Sequence, residues 1–437
     1  MPNCTPTQIE FPPFKRRKIE AQFSGGAITS DGGVMLLRAV DQQVGLTERI
    51  AEKMHDSRDP NRVQHQLVDL LRQRVYGLAC GYEDLNDHET LRNDIAFQTA
   101  VEKDLALGSP STLCRFEQSA DKRLMWSIHE ELLNQFIASY EKAPESLILD
   151  FDATDDPVHG EQEGRFFHGY YRHYCFLPLY VFCGHHCLVS YLRPSNIDGA
   201  KHSWAILALL VKRLRQAWPE VDITFRGDGG FCRHKMLNWC ERHGINYIVG
   251  LAKNQRLKRL SQPWTEQAEQ RYQTEQKKQR LFTDFQYKAE TWTHERRVIL
   301  KAEHMSQGSN PRYVVTNLEE DAQTLYEKVY CARGDMENRI KEQQLDLFAD
   351  RTSCSLWWPN QFRLMLSTIA YTLINAIRKI ALQQTELAQA TCATIRLKLF
   401  KIGAVVIRNT RRIRLLFSSH YPYRSLFQTI SQRLCPD

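Results

Sequence analysis

The spacing of apolar residues changes character along the chain. Up to about Lys142 it is helical, with Leu36, Leu37 and Val40 on one face and Leu67, Leu70, Leu71 and Val75 on another. Ser109-Pro110-Ser111-Thr112 supplies a hydroxyl cap and an early proline, which predicts a helix start ahead of Leu113 and Phe116. At Pro144 the pattern switches. Leu147-Ile148-Leu149 is a short, dense apolar run of the kind that forms a buried strand, and it ends in Asp150-Phe151-Asp152-Ala153-Thr154. Strand-like patterning covers residues 166–192, helical spacing covers 204–218, and residues 221–225 alternate as a strand into Arg226-Gly227-Asp228-Gly229-Gly230. A short helix (233–243) and an apolar strand (245–251) follow. Strands alternating with helices predict an α/β domain with some parallel pairing.

Residues 253–318 interrupt this order with a polar Gln/Lys/Glu stretch and then alternating segments, which predicts a β-rich insertion. Helical spacing returns over 322–347 and 360–381, the second with Phe362, Leu366, Ile369, Leu373 and Ile377 on one stripe. The expected organisation is a helical N-terminal region (1–143), the first part of an α/β core (144–252) and a β-rich insertion (253–320). A helix pair (321–385) and a basic helical C-terminal region (386–437) complete it.

Composition narrows the class. With 42% hydrophobic and 25% charged residues in 437, the chain reads as several folded domains, which excludes collagen, coiled coil and wholesale disorder. The apolar runs at 175–184 and 204–211 fall short of the ~18 residues of a membrane span, and residues 2–13 carry no apolar signal segment. A cytoplasmic protein with reduced, scattered cysteines is expected. The 58 Lys+Arg against 51 Asp+Glu give +7, and residues 386–437 alone hold nine basic against two acidic side chains, also +7. That segregated charge predicts a polyanionic partner, most simply nucleic acid.

The acidic residues carry the candidate chemistry. Asp150 and Asp152, two apart on a strand, point to one face, where two like charges at 4 Å repel by about 4 kcal/mol at an effective dielectric of 20. Asp228 ends a second strand, and ligands of open α/β sheets gather at strand carboxyl ends. Tyr330, Arg333, Glu337, Lys341 and Gln344 are spaced to share one helical face, while Asp335 and Glu342 point elsewhere. Carboxylates from two strands and a helix, with no thiolate, suit Mg²⁺, or alternatively Mn²⁺. Two such ions serve in-line displacement at a phosphodiester.

Three runs carry a resemblance: Leu149-Asp150-Phe151-Asp152-Ala153-Thr154, Arg226-Gly227-Asp228-Gly229-Gly230-Phe231, and Tyr330-x2-Arg333-x3-Glu337-Asn338-Arg339-Ile340-Lys341-Glu342. Together they resemble the DDE transposases of bacterial insertion sequences, specifically insertion-sequence family 1380 and its Tyr-x2-Arg-x3-Glu branch. The likeness extends through residues 81–87 and 360–364. It implies a ribonuclease H-like core interrupted by a β-rich insertion, with Asp152, Asp228 and Glu337 as the catalytic and metal-binding triad for two ions. It also implies DNA contacts from Tyr330, Arg333 and Lys341, although a lysine expected three residues further on is Gln344 here. Trp292, with Trp264 as an alternative, is the candidate for stacking a flipped base, and Arg411, Arg412 and Arg414 are candidates in the basic tail. The implied activity is metal-dependent strand cleavage and strand transfer on double-stranded DNA. The implied partners are terminal inverted repeats and target DNA, held by a homodimer or higher multimer, nucleoid-associated and away from membranes.

Competing readings are weaker. Cys183-Gly184-His185-His186-Cys187 has zinc-ligand chemistry but no second half at finger spacing. A haloacid-dehalogenase-like phosphatase would use Asp150 as nucleophile, yet it leaves the 330–341 face and the basic tail unexplained. A catalytically inactive, transposase-derived DNA-binding protein is the alternative from another class.

Overall fold

Along the acidic strand, Leu147, Leu149 and Phe151 enter the main hydrophobic core, while Ile148, Asp150 and Asp152 alternate onto the opposite face. This strand, β1 (Ser146–Ala153), lies inside a nine-stranded mixed sheet in a computed structural model that describes residues 8–436. On one side it pairs antiparallel with β2 (Leu179–Cys183), which pairs with β3 (His186–Tyr191). On the other side it pairs parallel with β4 (Asp222–Gly227), which pairs parallel with β5 (Asn246–Leu251). The spatial order is β3-β2-β1-β4-β5. Between β3 and β4, helix α1 (Ser203–Ala217) buries Leu207, Leu210, Val211 and Leu214, the i, i+3, i+4, i+7 stripe of a helix laid on a core. Helix α2 (His234–Arg242) joins β4 to β5 and buries Met236, Leu237 and Cys240.

The sheet does not stop at β5. After helix α3 (Gln255–Glu275), the strands β6 (Gln279–Tyr287), β7 (Arg296–Met305) and β8 (Arg312–Thr316) extend it, with β8 antiparallel to β5, β7 to β8 and β6 to β7. The β-rich reading of this stretch therefore needs correction at its start, which is a 21-residue helix. Its polar surface hid it, because only Leu257, Ser261 and Ala268 are buried. Val298, Leu300 and Ala302 of β7 share one core with Leu149 of β1, so insertion and acidic strands are held by the same apolar cluster.

The chain divides into two units. The one just described comprises Met125–Leu345 and Ala349–Thr368. Gln361 fastens its last helical segment to β3, accepting from the Leu192 amide at 2.7 Å and donating to the Ser190 carbonyl at 3.0 Å. The other unit comprises the residues up to Leu124, Asp346–Phe348 and those from Ile369 onward. It is mainly helical, and Ser109 caps the helix Pro110–Gln118 through the Thr112 amide. Arg74 and Glu117 form a buried ion pair at 2.7 Å in it, so Glu117 faces inward.

Two hairpins in this second unit depart from the helical expectation. Ile9–Phe14 pairs with Arg17–Ala21, and Ala404–Arg408 pairs with Ile413–Phe417. The C-terminal region is thus helical only in part, ending in the helix Arg424–Leu434. Its β-branched residues, Val405-Val406-Ile407 and Ile413, favour strands over the expected helix. The start of the 2–13 stretch and Asp437 lie outside the described residues. Among the described residues no helix is long and apolar enough to cross a membrane. The described cysteines are free, and Cys183 and His186 face each other across the β2–β3 turn with no metal-binding group around them.

Candidate active site

Sheet register decides which of the two neighbouring aspartates is structural. Asp150 on β1 lies directly opposite Arg226 on β4, and the guanidinium grips both carboxylate oxygens, through Nε and through Nη2 at 2.6 Å. A third Arg226 donor reaches the Val329 carbonyl. Both side chains are buried, and burial raises the Asp150 carboxyl above its ordinary range while Arg226 opposes that rise. A carboxylate held this way has no free oxygen to attack a phosphoryl group, which removes the physical basis of the phosphatase reading.

Asp152, two residues on, reaches the strand end. Its carboxyl is pushed up to about 6, first by burial, against the pull of Arg333 and with further push from Asp228 and Glu337. Asp228 directly follows β4, whose Gly227 pairs with Phe151, so the two strand ends lie side by side. Its Oδ1 accepts from the Gly230 amide at 2.8 Å, which fixes the turn Gly229–Phe231. Glu337 comes from helix α4 (Gly334–Lys341). The three expected carboxylates therefore converge at one end of the sheet.

Arg333 stands among them. Its guanidinium contacts Asp152 at 3.1 Å and Glu337 at 2.9 Å. Burial works against its charge, but Asp152, Asp228 and Glu337 outweigh that and hold it above its usual range. Its Nε is buried without a hydrogen-bond partner. The helical face expected from spacing is built with a change of winding: Leu325–Tyr330 is wound as a π-helix and Cys331–Arg333 as a 3₁₀ turn before α4 begins. Irregular winding of this kind often marks functional positions in helices. Lys341 is exposed at the end of α4, while Glu342 is turned into an ion pair with Arg339 at 2.6 Å. Gln344, where a lysine was expected, donates to the Asp155 carbonyl at 2.9 Å and ties this helix to the chain just beyond β1.

Oxygen-only donors fit a hard divalent cation such as Mg²⁺. Among the described residues no three His, Cys, Asp or Glu side chains are gathered closely enough to hold one; the positive charge between Asp152 and Glu337 is supplied by Arg333. The guanidinium is a stand-in cation, so donor chemistry fits the ion once Arg333 has moved.

Beside Asp228 opens a cavity of about 320 Å³, lined by Gly229, Gly250, Lys253, Arg312, Tyr326 and Tyr330 among others. Gly250 makes it possible, since a Cβ there would meet the Gly229 nitrogen and the Tyr330 hydroxyl at 2.7 Å each. Burial, then Arg312 and the nearby Lys258 and Lys301, hold the Lys253 ammonium below its ordinary range. Lys253 and Arg312 were not anticipated; the position of Lys253 just after a strand end was the available signal.

Trp292 does not present its ring. It is 5% exposed, edge-on to Tyr287 at 5.5 Å and under the Arg296 guanidinium at 5.0 Å. Stacking on a base would require it to leave the core, and burial of a large apolar ring is the stronger demand. In the other unit, Arg411, Arg412 and Arg414 are exposed on and beside a hairpin turn, where Asn409 Oδ1 accepts from the Arg411 and Arg412 amides at 3.0 Å. Several other tail cations serve the fold: Lys401 pairs with Asp31 at 2.8 Å, and Arg433 donates to the Ala381 carbonyl at 2.7 Å.

The family described as transposase DDE domain group 1 matches residues 11–436. No curated protein sequence matches the chain. Among solved structures, the cryo-EM structure of the piggyBac transposase synaptic complex with hairpin DNA is similar at a TM-score of 0.41 and 12% identity, covering 93% of this chain and 83% of that one.

Proposed function

The chain belongs to the transposase DDE domain group 1 family, and from that premise we propose that it binds the terminal inverted repeats of its own insertion sequence and cuts and joins DNA at Asp152, Asp228 and Glu337. The observation that carries this reading is the convergence of those three carboxylates around Arg333 at adjacent strand ends. The β3-β2-β1-β4-β5 order supports a ribonuclease H-like core, and the sequence runs support placement in insertion-sequence family 1380.

Asp152, Asp228 and Glu337 would hold the divalent ions, two in the full reading, whose chemistry when bound is to activate an attacking oxygen and stabilise a leaving one. The protein's own side chains then bind and orient the strand. Arg333, with a spare buried donor, and Tyr330, whose hydroxyl lies against Gly250, offer cationic and neutral contacts to a phosphate beside the carboxylates. Lys341 and the exposed Arg411, Arg412 and Arg414 add backbone contacts that neutralise phosphates without reading sequence. Water frees a 3′-hydroxyl at the element's end, and that hydroxyl attacks target DNA at the same site in a cut-and-paste sequence. Two ends must be handled together, which calls for a dimer or higher multimer on nucleoid DNA.

The test is cleavage of a plasmid carrying the element's ends in the presence of Mg²⁺. Wild type is expected to cut at the ends, and Glu337→Ala to leave the plasmid intact while still binding it. Equal cutting by both proteins would sink the assignment.

A further inference from the structure

Residues 165–174 have an unusual composition: five aromatic rings, two arginines, two histidines and one glycine, with no carboxylate and no aliphatic side chain. They form most of a small three-stranded sheet, in which Phe166–His168 pairs with His173–Phe176, and the latter with Asp156–Pro157. Its rings face outward. Tyr170 is 83% exposed, Phe167 57%, Tyr174 48% and Phe166 42%. Phe167 and Tyr174 are cross-strand partners with ring centres 5.7 Å apart, and the Arg165 guanidinium lies 4.4 Å from the Tyr174 ring centre. At the turn, Tyr171 packs between Tyr170 at 5.0 Å and His168 at 4.8 Å.

This sheet is anchored beside the carboxylates. The His173 ring contacts Asp155, three residues beyond Asp152, at 2.9 Å. The Asp155 carbonyl in turn accepts from Gln344 on the helix that carries Glu337.

We propose that residues 165–174 form a stacking platform for unpaired bases of a DNA strand as it enters or leaves the carboxylate site. This rests on the DNA-processing reading above. Exposed rings interleaved with cations are what sequence-tolerant single-strand binding uses, because every base has a π-face and every nucleotide a phosphate. The run itself contributes no carboxylate, and the acidic side chains at its edges, Glu161 and Asp155, are paired with Arg165 and His173. Its place next to Asp152 gives the platform a use, since strand cleavage leaves ends whose bases can unstack.

The full-length protein would be titrated with fluorescein-labelled oligothymidylate of about twenty nucleotides, and separately with a duplex of the same length. The variant Phe167→Ala/Tyr170→Ala is expected to bind the single strand roughly tenfold or more weakly, with duplex binding held within about twofold and the salt dependence of binding unchanged. Tyr170→Trp is expected to keep wild-type affinity and to show tryptophan quenching on binding. Unchanged single-strand affinity in the double variant, or no quenching in Tyr170→Trp, overturns the platform. So does loss of self-association in the double variant by sedimentation velocity with DNA binding intact, because the rings would then seat a second copy. Plasmid cleavage by wild type separates this from the broader reading. Ring-dependent oligothymidylate binding without cleavage leaves the platform standing and removes the transposase assignment, and cleavage with ring-independent binding does the reverse.

Discussion

Replacing Asp150 by alanine separates a structural carboxylate from the neighbour proposed to act in catalysis. In the native protein Arg226 makes two hydrogen bonds to Asp150, with side chains 8% and 5% exposed, and one to the Val329 carbonyl. Asp150→Ala leaves that guanidinium buried with the carbonyl alone, and breaking a buried pair from one side costs about 3–5 kcal/mol. Asp152→Asn acts in the opposite sense. With its carboxyl at about 6 against 3.8 in a free chain, ionised Asp152 destabilises the metal-free fold by about 3 kcal/mol at neutral pH. That figure is already net of the Arg333 contact at 3.1 Å, so the amide is expected to gain stability, by up to about 3 kcal/mol. Urea unfolding at pH 7.5 without divalent ions measures both variants, and the plasmid assay measures cutting. Asp150→Ala should lose stability, and Asp152→Asn should lose cutting while remaining folded. An Asp150→Ala protein as stable as wild type yet unable to cut, beside an active Asp152→Asn, would refute the division of roles.

The same carboxyl sets a pH dependence. Between 3.8 and about 6 native Asp152 binds more proton than the unfolded chain, so its contribution falls as pH rises through that window and is level above it. Wild-type stability minus that of Asp152→Asn, measured from pH 4 to 7, should decline by up to about 3 kcal/mol; a flat difference contradicts the buried placement. Gly250→Ala drives a methyl group to within 2.7 Å of the Tyr330 hydroxyl and the Gly229 nitrogen, and should cut strand cleavage by at least roughly tenfold while far-UV circular dichroism stays unchanged. Changing Arg411, Arg412 and Arg414 together to glutamine should lower the slope of log K against log salt by up to about 2.7, at ~0.9 per phosphate, in a duplex titration. An unaltered slope would mean that these side chains do not touch the backbone.

Sequence patterning was most informative where chemistry and periodicity coincide. A dense apolar run that ends in Asp-x-Asp, a Gly-Asp-Gly-Gly turn and a charged helical face can be read without coordinates, and the fold brings all three together. Choosing Asp152 over Asp150 by physics required the register that sets Arg226 opposite Asp150, a relation between residues 76 apart. The extension of the sheet was similarly hidden, since β8 meets β5 only after a helix and two other strands have intervened. Trp292 shows another limit: a tryptophan beside a strand can serve the core or a ligand, and only its packing under Arg296 and against Tyr287 decides. In the tail, isoleucine, leucine and arginine fit a helical face and a strand equally well, and the hairpin follows from pairing across the Asn409 turn.

Arg333 gives the carboxylate site a defined rest state. Asp152 and Glu337 are not an anionic void waiting to be filled; an internal cation already bridges them and offsets part of their charge. Any ion they accept therefore enters by competition, and its apparent affinity is its intrinsic affinity reduced by the strength of the guanidinium contacts it displaces. A phosphate that draws Arg333 away weakens the competitor. On the proposed function, binding of DNA and binding of the ion would be coupled through this one side chain, each favouring the other.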